Sequence, residues 1–213
     1  LISQISSLNF APTNLAAANL RNSDVPGKII VTGNSVIDAI QSIASNVSRP
    51  SFDSINWESE KVILLTVHRR ENWGDNLDNI ISGIKLVLEN HFEIVFVIPL
   101  HQNLAVRVPF EKALGQHSRV LLLEPFDYCE LVEVMKKSKL ILTDSGGIQE
   151  EAPSLGIPVL VARETTERPE AIEEGTAKLV GTSQDNIYRE VHELLLNQDK
   201  YDKMAKAENP FGD

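Results

Sequence analysis

The stretch KLILTDSGGIQEEAPSLGIPVLVA, residues 139–162, contains the pattern that decides the fold of this chain. It opens with residues 139–143, a mostly apolar run that is typical of a strand buried on both faces of a parallel sheet. A Gly-rich turn follows, and a helix is predicted to begin near Ile148. Pro153 removes a helix N–H and Gly156 favours a helix cap, so both are predicted to keep this helix short.

The Gly-rich turn is a candidate anion site. Ser145, Gly146 and Gly147 join the strand to the helix, where free backbone N–H groups and the helix dipole attract a phosphate that glycine allows to come close. Glu150 and Glu151 would repel a phosphate lying against them, so one of them is predicted to face a neutral hydroxyl such as that of a ribose. For this motif alone, an ordinary strand–turn–helix connection is the equal alternative.

Strands and helices alternate along the rest of the chain in the same way. Apolar runs predict strands at residues 28–32, 61–66, 93–98, 120–123, 159–161 and 177–180, and apolar periodicity predicts helices at residues 36–44, 77–88, 106–114, 128–137, 169–174 and 184–196. This alternation predicts an α/β fold with a Rossmann-like, doubly wound parallel sheet covered by helices on both faces. Ligands of such sheets bind beyond the carboxyl ends of the strands, so we expect the functional residues along that rim.

Both ends of the chain look cut, which indicates a piece of a longer protein. The first residue is Leu rather than Met, and the last residues form a loop-like segment. Residues 1–22 are predicted to be the tail of a truncated preceding domain, with a helix at their start and a second helix capped at Thr13 or the next residue. Residues 23–200 are predicted to form the main domain, residues 201–213 the start of a truncated C-terminal return segment, and residues 46–60 a surface loop.

The composition argues against several classes of function. A chain of 213 residues, 42% of them hydrophobic, can bury one large core, and its formal net charge of −10 argues against partners such as nucleic acid or anionic membranes. No apolar run approaches the roughly 20 residues that span a bilayer. The single cysteine, Cys129, has nothing to pair with and is predicted to pack on a helix, so a reducing, cytoplasmic location is expected.

A basic motif directly follows the strand predicted at residues 61–66. His68 could hold a phosphate oxygen or transfer a proton near neutral pH, while Arg69 and Arg70 could supply the positive charge that a phosphate site needs. The alternative is a structural histidine beside two solvated arginines, with Arg70 paired to Glu71. The position of the motif on the expected rim favours a functional role.

A second polar loop follows the strand predicted at residues 159–161. Arg168 could reach a diphosphate or a sugar, and Thr165 or Thr166 could donate hydroxyl hydrogens, although a solvated loop is an equal alternative. His101 also ends a strand on this rim, but a lone histidine is more often structural. No Cys/His or carboxylate spacing indicates a metal, and no P-loop or nucleophile elbow is present, so neither a metal nor a cofactor is expected.

Six strings spread over essentially the whole chain carry a specific resemblance to one family. They are FAPT (10–13), VTGNSVID (31–38), TVHRREN (66–72), LTDSGGIQEEAPSLGIPVLV (142–161), TTERPEAIEEGTAKLVGT (165–182) and NPFGD (209–213). Together they resemble the non-hydrolysing UDP-N-acetylglucosamine 2-epimerases. The resemblance implies the C-terminal half of a two-domain glycosyltransferase-B-type fold, plus the last helix of the N-terminal domain, with the nucleotide-sugar between the two domains.

The resemblance also implies roles for individual residues. It assigns substrate binding to Phe126, Leu131, Ser145, Gly146, Gly147, Glu151 and Arg168. The turn at 145–147 would hold the diphosphate, Glu151 the ribose hydroxyls, and the segment 126–131 the uracil. Leu131 stands where many relatives carry Phe, which would preserve a backbone contact but not a stacking contact.

The resemblance separates a catalytic residue from two regulatory ones. His68, together with Arg168, would reach the phosphates and the sugar side, and His68 is expected to be catalytic. Arg69 and His101 match positions that contact a second, regulatory UDP-N-acetylglucosamine in bacterial members. A homodimer is the implied form of the full-length protein.

The chemistry of the resembling family is inversion at C2 of the sugar. UDP is eliminated to leave 2-acetamidoglucal and is then added back, which interconverts UDP-N-acetylglucosamine and UDP-N-acetylmannosamine for cell-surface polysaccharide synthesis. Moving the C2 proton requires carboxylates, which in the family lie in the N-terminal domain and are absent here. This chain is therefore expected to be the UDP-binding half. A glycosyltransferase of the same fold and a non-catalytic UDP-sugar-binding subunit are the alternatives.

Overall fold

Parallel strands form the centre of the fold in the computed structural model, which describes residues 2–46, 55–57 and 59–212. In chain order the strands are β1 (Leu8–Ala11), β2 (Lys28–Val31), β3 (Lys61–Thr66), β4 (Ile94–Pro99), β5 (Val120–Leu123), β6 (Leu140–Thr143), β7 (Val159–Val161) and β8 (Ala177–Leu179). Six of them build one sheet in the order β5-β4-β3-β6-β7-β8, with every pair parallel. The predicted doubly wound parallel sheet is confirmed.

Helices follow nearly every strand, as the alternating pattern predicts. They are α1 (Asn14–Asn22), α2 (Ser35–Asn46), α3 (Asp75–Asn90), α4 (Leu104–Leu114), α5 (Tyr128–Lys137), α6 (Gly146–Glu151), α7 (Pro169–Glu173), α8 (Gln184–Leu196) and α9 (Gln198–Ala205). The side chain of Thr13 accepts the Ala16 N–H at 3.0 Å and so caps α1 as predicted. None of the helices in the described part of the chain is long and apolar enough to cross a membrane.

The core lies in two layers, one on each face of the six-stranded sheet. Successive residues of a strand point to opposite faces, so Ile63 and Leu65 pack with α3, α4 and α8, whereas Val62 and Leu64 pack with α2 and α5. All four side chains are at most 1% exposed. Burial on both faces explains why the strand sequences are continuous apolar runs rather than alternating ones.

The order of the strands reverses direction between β3 and β6. From β3 the chain proceeds through β4 to β5 on one side, and from β6 it proceeds through β7 to β8 on the other. Thr66 and Thr143, the last residues of β3 and β6, are paired in register, and their hydroxyl oxygens lie 2.6 Å apart. The segments that follow these two strands therefore separate above a crevice, where ligands of doubly wound sheets bind.

Several local predictions need correction. The helix of the Gly-rich turn begins at Gly146, earlier than predicted, because Ser145 serves as its N-terminal flanking residue. A 3₁₀ turn, Ala152–Leu155, then accommodates Pro153, and Gly156 ends it with a φ of 69° in the left-handed region. Cys129 lies on α5 as predicted, but it is exposed rather than packed.

The N-terminal part of the chain differs most from the expectation. A 3₁₀ turn, Ile2–Gln4, stands where a helix is predicted, and β1 and β2 pair with each other rather than with the large sheet. The domain boundary predicted after residue 22 falls between these two strands and stays a prediction. Most of the loop predicted at 46–60 lies outside the described residues.

Candidate functional site

A cleft of ≈ 320 Å³ lies at the crevice between the ends of β3 and β6. Seven of the residues singled out from the sequence line it: His68, His101, Phe126, Leu131, Ser145, Gly147 and Glu151. They come from the segments after β3, β4, β5 and β6, so the parallel sheet brings together residues that are far apart in sequence. Gly146, Arg69 and Arg168 lie close to the cleft but are not among its lining residues.

Asp144, which directly follows β6, joins the two sides of the crevice. Its carboxylate is completely buried and accepts the backbone N–H groups of His68 at 3.0 Å and Arg69 at 2.9 Å, and the side-chain amide of Asn72 at 2.9 Å. Burial alone would raise the pKa of Asp144, but the hydrogen bonds from His68 and the backbone of Arg69 bring it below its usual value. The buried charge is thus well satisfied.

His68 projects from this turn into the cleft. Its Nδ1 atom lies 3.1 Å from Asp144 Oδ1, and its ring stacks on that of His101 with the centroids 6.0 Å apart. The hydrogen bond to Asp144 raises the pKa of His68 above its usual value, although burial and the charge of Arg69 oppose the increase. The environment therefore favours the imidazolium form.

The first turn of α6 presents free backbone donors. No side chain caps this helix, and the N–H groups of Gly146 and Gly147 donate to no acceptor within the described residues. The Ser145 N–H differs, because it donates to Thr143 Oγ1 at 2.9 Å, which leaves the Ser145 hydroxyl as the group available to a ligand. A Cβ added to Gly147 would meet nothing closer than 3.6 Å, so the cleft is open at this point.

Glu151 provides a half-buried carboxylate at the edge of the cleft. This carboxylate has no hydrogen-bond or ion-pair partner in the described part of the chain. Burial, together with the negative charge of Glu150, raises the pKa of Glu151 to about 7. An unpaired acceptor of this kind is suited to the hydroxyl groups of a ligand.

Glu150, in contrast, is paired with other residues of the protein. Its carboxylate accepts hydrogen bonds from Arg168 Nε and from the side chain of Asn34, and its backbone oxygen accepts the Asn209 amide at 2.9 Å. Arg168 also donates to the backbone oxygen of Glu167 at 3.1 Å. Arg168 is therefore held beside the cleft by protein contacts, with part of its guanidinium still available to a ligand.

A network of paired arginine and glutamate side chains lies on the other side of the site. Glu167 pairs with both Arg69 and Arg163, and Arg163 also pairs with Glu71. Burial would raise the pKa of Glu167, but the hydrogen bonds from Arg163 and its own backbone, with the charges of both arginines, bring it to about 2. Glu71 is thus used by Arg163 rather than by Arg70.

Sequence reasoning missed the partners that hold the site together. Asp144, Asn72 and Arg163 were given no role, yet they connect the turn after β3 to the segments after β6 and β7. A signal was present, since a charged residue placed directly after a buried, mostly apolar strand must be satisfied by its neighbours. The Thr166 hydroxyl, predicted as a donor to a ligand, donates instead to Gln149 at 2.6 Å.

The sheet order and the position of the cleft define a Rossmann-like domain of the glycosyltransferase-B type. A glycosyltransferase of lipopolysaccharide biosynthesis has the same fold, with a TM-score of 0.57 at 13% identity over 92% of this chain and 56% of its own. The family model for UDP-N-acetylglucosamine 2-epimerase matches residues 1–213, and the chain belongs to this family.

Relatives from several organisms support this assignment. A Bacillus subtilis UDP-N-acetylglucosamine 2-epimerase is 45% identical over 98% of this chain and 55% of its own length. The structure of the Neisseria meningitidis enzyme bound to UDP-GlcNAc has a TM-score of 0.93 and 45% identity, covering 99% of this chain and 59% of that one. A Methanocaldococcus jannaschii enzyme in complex with UDP-GlcNAc and UDP has a TM-score of 0.78 and 31% identity over 98% of this chain and 58% of its own. The chain thus spans slightly more than half the length of these relatives.

Proposed function

We propose that this chain is the UDP-binding part of an enzyme that interconverts UDP-N-acetylglucosamine and UDP-N-acetylmannosamine. The observation that carries the proposal is the cleft between β3 and β6, which is lined by Gly147 with its free N–H, by the unpaired carboxylate of Glu151 and by the imidazole of His68. A diphosphate needs donors, a ribose needs an acceptor, and a departing phosphate oxygen needs a cation. Relatives of 31% and 45% identity are bound to UDP-GlcNAc, which supports this ligand.

The proposed nucleotide pose follows from the groups that the protein leaves unpaired. The diphosphate lies against the N–H groups of Gly146 and Gly147, and the ribose hydroxyls donate to Glu151. The uracil lies along the segment that contains Phe126 and Leu131, on the opposite wall of the cleft. The free part of the Arg168 guanidinium reaches the sugar side.

The proposed reaction inverts C2 through elimination and re-addition. A base removes the C2 proton, the electron pair of the C–H bond forms the C1=C2 double bond of 2-acetamidoglucal, and UDP leaves with the electron pair of the C1–O bond. UDP then adds back to C1 as a proton reaches the other face of C2. His68 stabilises the negative charge that develops on the phosphate oxygen, and this stabilisation is largest in the transition state.

The acid and base for the C2 proton are proposed to come from the other part of the enzyme. Near the cleft, Glu150 and Glu167 are tied to arginines and Asp144 is buried against His68, while Glu151 is assigned to the ribose. A carboxylate held by an arginine is a weak base. We propose that an N-terminal domain supplies the catalytic carboxylates and closes over the cleft to exclude water.

Regulation and assembly belong to the same proposal. Arg69 and His101 are proposed to contact a second, regulatory nucleotide-sugar in a cytoplasmic homodimer. Because Arg69 already pairs with Glu167, such a ligand would have to compete with that carboxylate for the guanidinium.

Binding selectivity tests the nucleotide assignment. Isothermal titration of the chain should show weak binding of UDP, because half of the cleft is missing, and clearly weaker binding of ADP. Equal affinity for UDP and ADP would remove the uracil assignment.

Deuterium exchange tests whether the acid and base for the C2 proton come from another domain. The chain alone should incorporate no deuterium at C2 of UDP-N-acetylglucosamine in heavy water, whereas addition of a separately produced N-terminal domain of the same enzyme should restore exchange, as measured by NMR. Exchange by the chain alone would refute the assignment of the acid and base to another domain. Formation of UDP-N-acetylmannosamine without any acceptor would distinguish the epimerase from a glycosyltransferase.

A further inference from the structure

We propose that Asp144 is a positioning residue that orients the His68 ring and holds it as an imidazolium whose Nε2–H points to the nucleotide. The part of this inference that concerns the nucleotide rests on the proposed function. The part that concerns the Asp144–His68 pair rests on the geometry of the two residues alone.

The distance between Asp144 and His68 indicates which nitrogen of the His68 ring carries a proton in both its neutral and its charged form. His68 Nδ1 lies 3.1 Å from Asp144 Oδ1, and an ionised carboxylate can only accept a hydrogen bond. A proton on Nδ1 is therefore favoured, which leaves Nε2 as the ring nitrogen available to a ligand. The His68 side chain is 43% exposed and lines the cleft, so a ligand can reach this atom.

The charge balance around Asp144 selects the imidazolium over the neutral ring. The Asp144 side chain is 0% exposed, and its other donors, two backbone N–H groups and the Asn72 amide, are neutral. The neighbouring Arg69 guanidinium pairs with Glu167 instead. Within the described ranges, His68 is the only ionisable group that pairs with Asp144. A buried charge without a counter-charge is costly, so the carboxylate stabilises a positive ring.

The groups that surround His68 are compatible with this charge. The ring of His101 stacks on it, and His101 Nδ1 accepts the Asn103 N–H at 3.1 Å. Arg69 acts against protonation of His68, but its charge is shared with Glu167. The titratable groups that line the same cleft from α5 and α6 are Tyr128 and Glu151. Neither of them adds a positive charge.

The arrangement gives the Asp144–His68 pair a role in the proposed chemistry without a net proton transfer. An Nε2–H donor on a cationic ring stabilises the phosphate oxygen as the C1–O bond breaks, and it remains in place while UDP adds back. Asp144 itself touches neither the nucleotide nor the sugar. Its effect reaches the reaction only through the tautomer and charge of His68.

An NMR titration of the His68 ring tests the pair directly. We expect His68 in the native chain to titrate above 6.5, the ordinary value for histidine. Asp144→Asn should lower this midpoint, because the variant removes the charge but keeps a side chain of similar size. As the matched control, Asn72→Ala removes a neutral donor from the same carboxylate and should not lower the midpoint. A native midpoint at or below 6.5, or an equal decrease in both variants, would overturn the proposal.

Ligand binding distinguishes positioning from a general structural effect. The UDP affinity of Asp144→Asn should fall on the order of tenfold, whereas its affinity for uridine, which lacks the phosphates, should change little. An equal loss for both ligands would indicate a collapsed site and overturn the proposal.

If Asp144→Asn does not fold, the titration of His68 in the native chain decides. If native His68 titrates high but UDP does not bind, the proposed function fails while the Asp144–His68 pair stands.

Discussion

The uncommitted carboxylate of Glu151 offers the sharpest test of the proposed nucleotide site. We expect Glu151→Gln to weaken UDP binding, because an amide cannot replace a charged acceptor for two ribose hydroxyls. Loss of a hydrogen bond to a charged group costs about 1.5–3 kcal/mol, which corresponds to roughly a 10- to 150-fold increase in Kd when the native carboxylate is ionised. The same contacts exist in the ground state and the transition state. In the complete enzyme, Glu151→Gln should therefore mainly raise KM and change kcat little.

The pKa of Glu151 makes this effect depend on pH. With a pKa of about 7, the free carboxylate is ionised in roughly a tenth of the molecules at pH 6 and roughly nine tenths at pH 8. Because binding selects the ionised form, the ratio of the variant Kd to the native Kd should be about tenfold larger at pH 8 than at pH 6. Taking this ratio cancels the titration of His68 and of the UDP phosphate, which are common to both proteins.

Isothermal titration calorimetry measures both quantities. In buffers of different ionisation enthalpy, the native chain should release about half a proton from Glu151 when it binds UDP at pH 7, and Glu151→Gln should lack this contribution. The matched control is Glu164→Gln, which removes an exposed carboxylate from the same rim but outside the cleft lining. Equal affinities of the native chain and Glu151→Gln at pH 8, or a ratio that does not change with pH, would refute the reasoning.

Three further expectations concern catalysis and stability. In the complete enzyme, His68→Ala should lower kcat far more than it raises KM, because the cation acts on charge that develops in the transition state; a normal kcat would contradict this role. Gly83→Ala would place a methyl group 3.0 Å from Ile187 Cγ2 between α3 and α8. Overpacking should cost on the order of 1–3 kcal/mol, more than the roughly 1 kcal/mol that alanine gains over glycine in a helix, so the urea midpoint should fall; a higher midpoint would show that Ile187 moves aside. His91 is buried 2.9 Å from His192, and burial lowers its pKa, so the unfolded chain takes up a proton more readily. Stability should therefore fall as the pH drops through 6.5, and His91→Gln should reduce that fall in thermal unfolding.

The sheet could be predicted because its strands are buried on both faces. A run such as residues 61–66 predicts its strand from the local sequence, because a short continuous apolar segment is typical of a central parallel strand. Helix α9 was missed for the opposite reason, because none of its residues is buried and only three of its eight residues, Tyr201, Met204 and Ala205, are apolar. The pairing of β1 with β2 was also out of reach, because strand propensity does not specify a partner.

The candidate site could be predicted in position but not in its pairings. Residues at the carboxyl ends of neighbouring parallel strands lie on the same rim of the sheet. The strand order therefore brings His68 and Ser145 close together, independently of their side-chain contacts. The local pattern could not tell Glu150 from Glu151, and only the family resemblance singled out Glu151. Glu150 finds its partners Arg168 and Asn34 at separations of 18 and 116 residues, which no local pattern encodes.

These pairings bear on how an acidic chain would hold the proposed diphosphate. With a formal net charge of −10, the protein repels an anion at long range, so attraction must come from groups inside the cleft. The nearby arginines contribute little, because each of them is paired with a carboxylate. Arg69 and Arg163 share Glu167, Arg163 also pairs with Glu71, and Arg168 pairs with Glu150. Among the described residues that line the cleft, the groups that we propose for a phosphate are the free N–H of Gly147 and the ring of His68, and the free N–H of Gly146 directly precedes that of Gly147 in α6. In our proposal the charge of this ring depends on Asp144, so a buried carboxylate that does not touch the ligand would control how the ligand is held.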